Sequence, residues 1–232
     1  MIKIGHRGAC GYAPENTLAS FKRALELNVD MIELDVYVCK SGELVVMHDD
    51  KVNRTTNGKG YVVDMTLEEL KSLDAGSGEK IPTLIEVLDL IDKKTQVNIE
   101  LKGPGTAEPV AKIINSYEEN EGWRDDDFLV SSFNHYELEK FKKYCPEIRI
   151  GALLVGIPIG FAEFAQKNLN AWSVNLSIEF INKEFVDDAH NRGLKVLVFT
   201  VNDSDDIDRM KKINVDGIFS NFPDQINYLA AS

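Results

Sequence analysis

Eight short apolar runs, each followed by a stretch of helical periodicity, constrain this chain more than any other feature it carries. The runs lie at 2–5, 31–36, 97–102, 128–132, 149–154, 171–175, 195–200 and 217–220. Such alternation predicts a parallel sheet built from strand–helix units. The intervening helices carry readable punctuation: Asn16 or Thr17 before 18–27, Asn134 before 136–143, Asn182 before 185–192 with Gly193 as the stop, and Asp203 or Ser204 before 207–213. Each fits N-cap or left-handed C-cap chemistry. Eight such units in 232 residues favour a closed (β/α)8 TIM barrel over an open doubly wound sheet. No Gly-x-Gly-x-x-Gly follows the first run, which weakens a dinucleotide-binding alternative. The expectation is one domain over 1–232. The connection 49–94 is longer than one unit needs, so a small insertion at about 49–65, turn-rich around Asn57-Gly58, is expected over one barrel face, with helices near 66–73 and 83–91.

A hydrophobic content of 44% supplies a core and excludes disorder. The formal charge of −12 leaves no basic footprint for nucleic acid or an anionic membrane, and an anionic substrate would need locally placed cations. Three scattered cysteines, Cys10, Cys39 and Cys145, read as reduced and packed, which with a start lacking a secretory apolar region suits the cytoplasm. The longest apolar stretch, 150–159, is broken by two glycines and a proline and is too short to span a bilayer. Neither an exposed apolar segment nor a basic amphipathic helix is expected, so no stable membrane insertion is expected either.

Polar residues stand where barrel strands should be apolar. Alternation places Ile32, Leu34 and Val36 on one strand face and Glu33 with Asp35 on the other; in the next strand Asn98, Glu100 and Lys102 share a face opposite Ile99 and Leu101. Gathering carboxylates in a water-poor cavity is costly unless a cation or protons compensate them. A divalent ion fits, and oxygen ligands without cysteine favour Mg2+, Mn2+ or Ca2+. The alternative is an ion cluster of Glu33, Asp35 and Glu100 with Lys102 and Arg7. His6 and His48 each end an apolar run, and imidazoles beside such a cluster suit a displacement that needs one proton removed and one donated. His135 and His190 read as helix-terminal residues. Trp172 and Phe199 read as packing, and Phe133, just beyond a strand, as packing or a ligand contact. The segment 40–43 reads as a turn in which Gly42 supplies backbone freedom.

His6-Arg7-Gly8, Pro14-Glu15-Asn16-Thr17, Glu33-Leu34-Asp35-Val36 and Val46-Met47-His48-Asp49 come in order, followed by Arg54-Thr55-Thr56-Asn57-Gly58, Ile81-Pro82-Thr83-Leu84, Asn98-Ile99-Glu100-Leu101-Lys102, Thr200-Val201-Asn202 and Asp216-Gly217-Ile218. This series, covering nearly the whole chain, resembles the glycerophosphodiester phosphodiesterase family. The resemblance implies a TIM-barrel hydrolase that uses one divalent ion to cleave a small-molecule glycerophosphodiester into sn-glycerol 3-phosphate and an alcohol. It implies metal ligation by Glu33, Asp35 and Glu100, catalysis by His6 and His48, and substrate binding by Arg7, Glu15 and Lys102; Phe133, from its place just beyond a strand, is expected among the substrate-binding residues. It also implies that the insertion after His48 shapes headgroup preference. Two departures stand out: Ser220-Asn221-Phe222-Pro223 where many relatives have Thr-Asp-x-Pro, and Phe199 where a Trp is common; both are expected to affect packing or fit rather than chemistry. A related barrel phospholipase and a phospho-ligand-binding barrel without turnover are the competing readings.

Overall fold

The computed structural model describes residues 1–227, so positions 228–232 of the expected single domain lie outside the described residues. Strands β1 (Ile2–Gly5), β2 (Met31–Val38), β3 (Leu44–Val46), β4 (Gln96–Leu101), β5 (Phe128–Ser132), β6 (Arg149–Leu154), β7 (Ser173–Ser177), β8 (Lys195–Phe199) and β9 (Gly217–Ser220) alternate with helices. All except β3 pair in parallel in the ring β1-β9-β8-β7-β6-β5-β4-β2, and the β1–β2 pairing closes it. The result is the expected eight-stranded (β/α)8 barrel.

Alternation along each strand divides the core into two. Ile32, Leu34, Val36, Ile99 and Leu101 point outward and pack against buried helix residues such as Phe21, Leu88, Ile114 and Phe141. The inward set of Ile4, Met31, Leu129, Leu197 and Phe219 fills the barrel lumen. Continuing up the inner face of β2 from Met31 brings Glu33 and then Asp35. In register they lie beside Asn98 and Glu100 of β4. The strands' own periodicity therefore lifts a polar layer onto an apolar floor at the C-terminal end of the barrel.

Three features depart from the sequence expectation. Leu44–Val46, an apolar run, forms a ninth strand outside the ring: β2 overshoots the barrel, the chain reverses at Gly42 with φ 103°, and β3 returns antiparallel to Tyr37 and Val38. Strand β7 starts two residues later than 171, because the Ala171 N–H still donates to Ala165 O of the preceding helix. Helices α4 (Ala107–Asn120) and α6 (Phe161–Lys167) carry no usable start signal. The Thr106 hydroxyl turns back to Gly103 O, and the α6 cap is Gly160. Of the expected caps, Thr17 and Asn182 accept from the helix backbone, whereas the Asn134 and Asp203 side chains make no capping bond.

The connection after β3 packs on its own small core of Cys39, Val45, Met47, Val52, Val62, Leu70, Ala75 and Ile81. Helices α2 (Leu67–Ser72) and α3 (Leu84–Ile91) follow the turn-rich part, each opened by a Thr–Glu capping box. No helix among the described residues is long and apolar enough to cross a membrane.

Candidate active site

The end of β1 reverses sharply. Arg7 and Gly8 both adopt left-handed backbone, φ 51° and 84°. A Cβ at residue 8 would lie 2.4 Å from Ser20 Oγ, so only glycine fits. The reversal aims the Arg7 N–H at Glu33 Oε2, 2.7 Å away, and leaves the His6 and Arg7 side chains in the barrel mouth.

Beneath them, Glu33, Asp35 and Glu100 are all buried, with one carboxylate oxygen from each lying within 4.8 Å of the others. Burial first, then the charges of Asp35 and Glu100, raises Glu33 well above the ordinary carboxylate range. Burial and Asp35 push Glu100 to about 7. Arg7 Nε lies 3.7 Å from Asp35, and Lys102 Nζ lies 2.9 Å from Glu100 and 3.8 Å from Asp35. The ion cluster considered from sequence is present for Asp35 and Glu100, whereas Glu33 meets Arg7 through the backbone N–H; the upward shifts of Glu33 and Glu100 mark a set that the two cations do not fully compensate. Asp35 Oδ1 is buried with no hydrogen-bond partner. An all-oxygen set holding a buried, unsatisfied carboxylate oxygen fits a hard divalent cation.

The histidines flank this cluster and differ in their partners. His6 Nδ1 is 2.7 Å from Asn221 Oδ1, and burial, reinforced by Arg7, lowers its pKa to about 4. His48 Nδ1 is 2.7 Å from the Asp49 carboxylate, and its Nε2 is 3.3 Å from Lys102 Nζ. From Asp49 a chain of alternating charge runs on. Arg54 Nε donates to Asp49 at 2.7 Å, Arg54 also grips both Glu15 oxygens at 2.7 Å, and Glu15 Oε1 accepts from Arg7 at 2.8 Å. Burial opposes ionisation of Glu15, but the Arg54 and Arg7 guanidinium groups overcome it and bring its pKa to about 2. Arg54 likewise holds Asp49 below the ordinary carboxylate range. Glu15 thus braces Arg7 from behind.

His6, Arg7, Glu33, His48, Glu100 and Lys102 line one cavity together with the apolar Phe133, Leu153, Phe199 and Phe219. Phe133 meets Phe199 edge-on at 5.8 Å, with Lys102 Nζ 5.7 Å from the Phe133 ring centre. All nine sequence-proposed site residues gather here: eight line the cavity or lie in the acidic cluster beneath it, and Glu15 sits one layer back. Phe199 is a cavity wall as well as packing. His135, against Leu153 O and the Phe161 and Phe164 rings, and His190, bonded to Asp216, lie outside.

Sequence reasoning missed five contributors. Asp49 and Arg54 sit in quoted motifs, but their role needs the fold to bring Glu15 to Arg54. Asn16 turns from the cap position to donate to Asp35 Oδ2 at 2.9 Å. Asn221 was expected to concern packing or fit, and Cys10 to pack; instead Asn221 holds His6, and the Cys10 thiol lies 3.0 Å from the same amide oxygen. One further expectation fails: the loop after β6 is an exposed apolar segment, with Val155, Ile157 and Ile159 open to solvent beside the mouth. Gly156 and Pro158 interrupt the run beyond β6, whereas Gly151 lies buried within the strand.

The model of the glycerophosphoryl diester phosphodiesterase family matches residues 6–225. The glycerophosphodiester phosphodiesterase of Caldanaerobacter subterraneus subsp. tengcongensis is 43% identical, over 97% of this chain and 96% of its own length. That of Bacillus altitudinis is 39% identical, over 97% and 96%. An Oleispira antarctica phosphodiesterase, solved in complex with the product sn-glycerol-3-phosphate, superposes with a TM-score of 0.89 at 35% identity, covering 96% of this chain and 94% of that one. The chain belongs to the glycerophosphoryl diester phosphodiesterase family.

Proposed function

We propose that the protein, as one catalytic domain with the 49–65 insertion at its mouth, hydrolyses small glycerophosphodiesters to sn-glycerol 3-phosphate and an alcohol in the cytoplasm. The observation that carries this is the gathering of two differently partnered histidines and a buried carboxylate cluster at one cavity. Glu33, Asp35 and Glu100 would hold one divalent ion, Mg2+, Mn2+ or Ca2+, which when bound supplies Lewis-acid polarisation and the missing positive charge. Arg7, braced by Glu15, and Lys102 bind the phosphate oxygens and supply the local field that the −12 chain lacks. His6, held neutral by burial, takes the proton of the glycerol 2-hydroxyl as that oxygen attacks phosphorus. His48, oriented by Asp49, protonates the departing alcohol oxygen. For this, Nε2 must carry the proton, so the Lys102 ammonium turns from Nε2 to the incoming phosphate. Water then opens the cyclic phosphate with the histidine roles exchanged. Phe133 and Phe199 form the wall against which the alcohol rests.

Chelator-stripped protein given glycerophosphocholine with each cation in turn tests the reading; it expects cation-dependent release of glycerol 3-phosphate, and silence with every cation and several headgroups rejects it. A diester lacking the 2-hydroxyl tests the cyclic step, because retained turnover means direct attack by water.

The raised carboxyl groups give a sign to the pH dependence of cation binding. Glu100, near 7, and Glu33, well above its ordinary value, hold protons that the cation must displace. Calorimetric affinity should therefore fall as pH drops below about 7, by about tenfold per unit for each proton displaced, with proton release detectable in buffers of different ionisation heat. A flat profile through that range means that these carboxylates do not bind the ion.

The exposed Val155, Ile157 and Ile159 favour a second reading, in which the mouth docks on a lipid surface and the substrate is an intact lipid. This reading expects sedimentation with phosphatidylcholine vesicles, lost in Ile159→Asp, whereas the small-substrate reading expects the protein in the supernatant.

A further inference from the structure

We infer that Asn221 is a positioning residue for the reaction, holding His6 in the tautomer with hydrogen on Nδ1 so that Nε2 presents its lone pair to the substrate. The inference deepens the proposed function and rests on it for the meaning of the kinetics, though not for the tautomer itself.

Three observations carry it. First, the distance of 2.7 Å between His6 Nδ1 and Asn221 Oδ1 is that of a full hydrogen bond, and a carbonyl oxygen can only accept, so the hydrogen sits on Nδ1. Second, the amide orientation has independent support. The Cys10 Sγ lies 3.0 Å from the same Oδ1, and burial raises the thiol to about 12, so it stays an S–H donor. Two donors converge on one oxygen, and rotating the amide would set its NH2 against both. Third, the backbone under Asn221 is fixed. Its N–H donates to Asn202 Oδ1 at 2.9 Å, its carbonyl accepts from Gly11 N at 2.9 Å, and the Ser220 hydroxyl bonds the same Asn202 oxygen at 3.3 Å. The side chain is thus presented from a braced turn between β9 and the following 3-10 turn.

The consequence is a division of labour written in the partners. A neutral amide orients an imidazole and stabilises its charged form less than a carboxylate would, which suits the group that begins the reaction as a base. A carboxylate at the same ring position, as Asp49 provides for His48, both orients and stabilises the charge, which suits the group that begins as an acid. Asn202 and Cys10 act at one remove, through Asn221.

The test uses full-length cation-loaded protein labelled with 15N-histidine. Nitrogen shifts of the wild type should show His6 with a protonated Nδ1 and an unprotonated Nε2; the opposite tautomer overturns the inference whatever the activity. Asn221→Ala should give a mixed tautomer for His6 and lower kcat about tenfold, with KM for glycerophosphocholine within about twofold, because only orientation of the base is lost. Asn221→Asp keeps an acceptor at the same place and should restore both the single tautomer and most of kcat. Wild-type kcat in Asn221→Ala, or an equal loss in the aspartate variant with the tautomer retained, overturns the positioning role. Absence of turnover in the wild type on every glycerophosphodiester would instead reject the proposed function, leaving the tautomer measurement standing.

Discussion

His6→Ala should lower kcat on glycerophosphocholine by at least about 10²-fold, the scale of lost general acid–base assistance, while the urea midpoint moves little. The asymmetry follows from the site. Among the described residues, His6 joins no apolar cluster and its one side-chain hydrogen bond is to Asn221; the residue lines the cavity. Truncation therefore removes a proton acceptor rather than a packing element, and the Asn221 amide left behind is only half-buried and keeps its Cys10 contact. A steady-state assay paired with urea unfolding separates the two effects. His48→Ala should lose turnover on the same scale, and near wild-type turnover in either variant removes that histidine from the chemistry.

The second large effect concerns the carboxylates. Glu100→Gln keeps the shape of the side chain and removes one charge from a buried set of three, so the cation concentration for half-maximal activity should rise at least about tenfold, as a lost ligand exceeds the lost supporting contacts that already cost 10–100-fold. The substitution also frees Lys102 from its 2.9 Å partner, so the residual activity at saturating cation reports how far Lys102 depends on Glu100 for its position. An unchanged cation titration would mean that Glu100 is only a member of the ion cluster with Lys102.

The barrel was legible in the sequence because eight runs with strand periodicity leave few ways to bury both faces of a sheet. Glu33, Asp35 and Glu100 were legible because carboxylates on the inner face of apolar strands are too costly to be incidental. What escaped was set by contact across the fold. Arg54 lies 39 residues from Glu15, and Asn221 lies 215 from His6. Neither separation leaves a local trace, and an asparagine after a strand reads as turn chemistry. Strand β3 is three residues long, too short for period-2 alternation to register. The 155–159 loop misled differently, since its composition matches a buried strand and only Gly156 and Pro158 mark it as irregular backbone.

The connection after β3 has a core separate from those of the barrel, and that partition bears on descent as much as on stability. Met47, Val52, Val62, Leu70 and Ile81 pack on one another and belong to neither barrel cluster. Lineages can therefore lengthen, trim or exchange this module while the strands that carry Glu33, Asp35 and Glu100 stay untouched. At one seam, Asp49 and Arg54 tie the module to Glu15 and steady His48. Drift inside the module is free to remodel what enters the mouth, and drift at the seam alters the setting of His48.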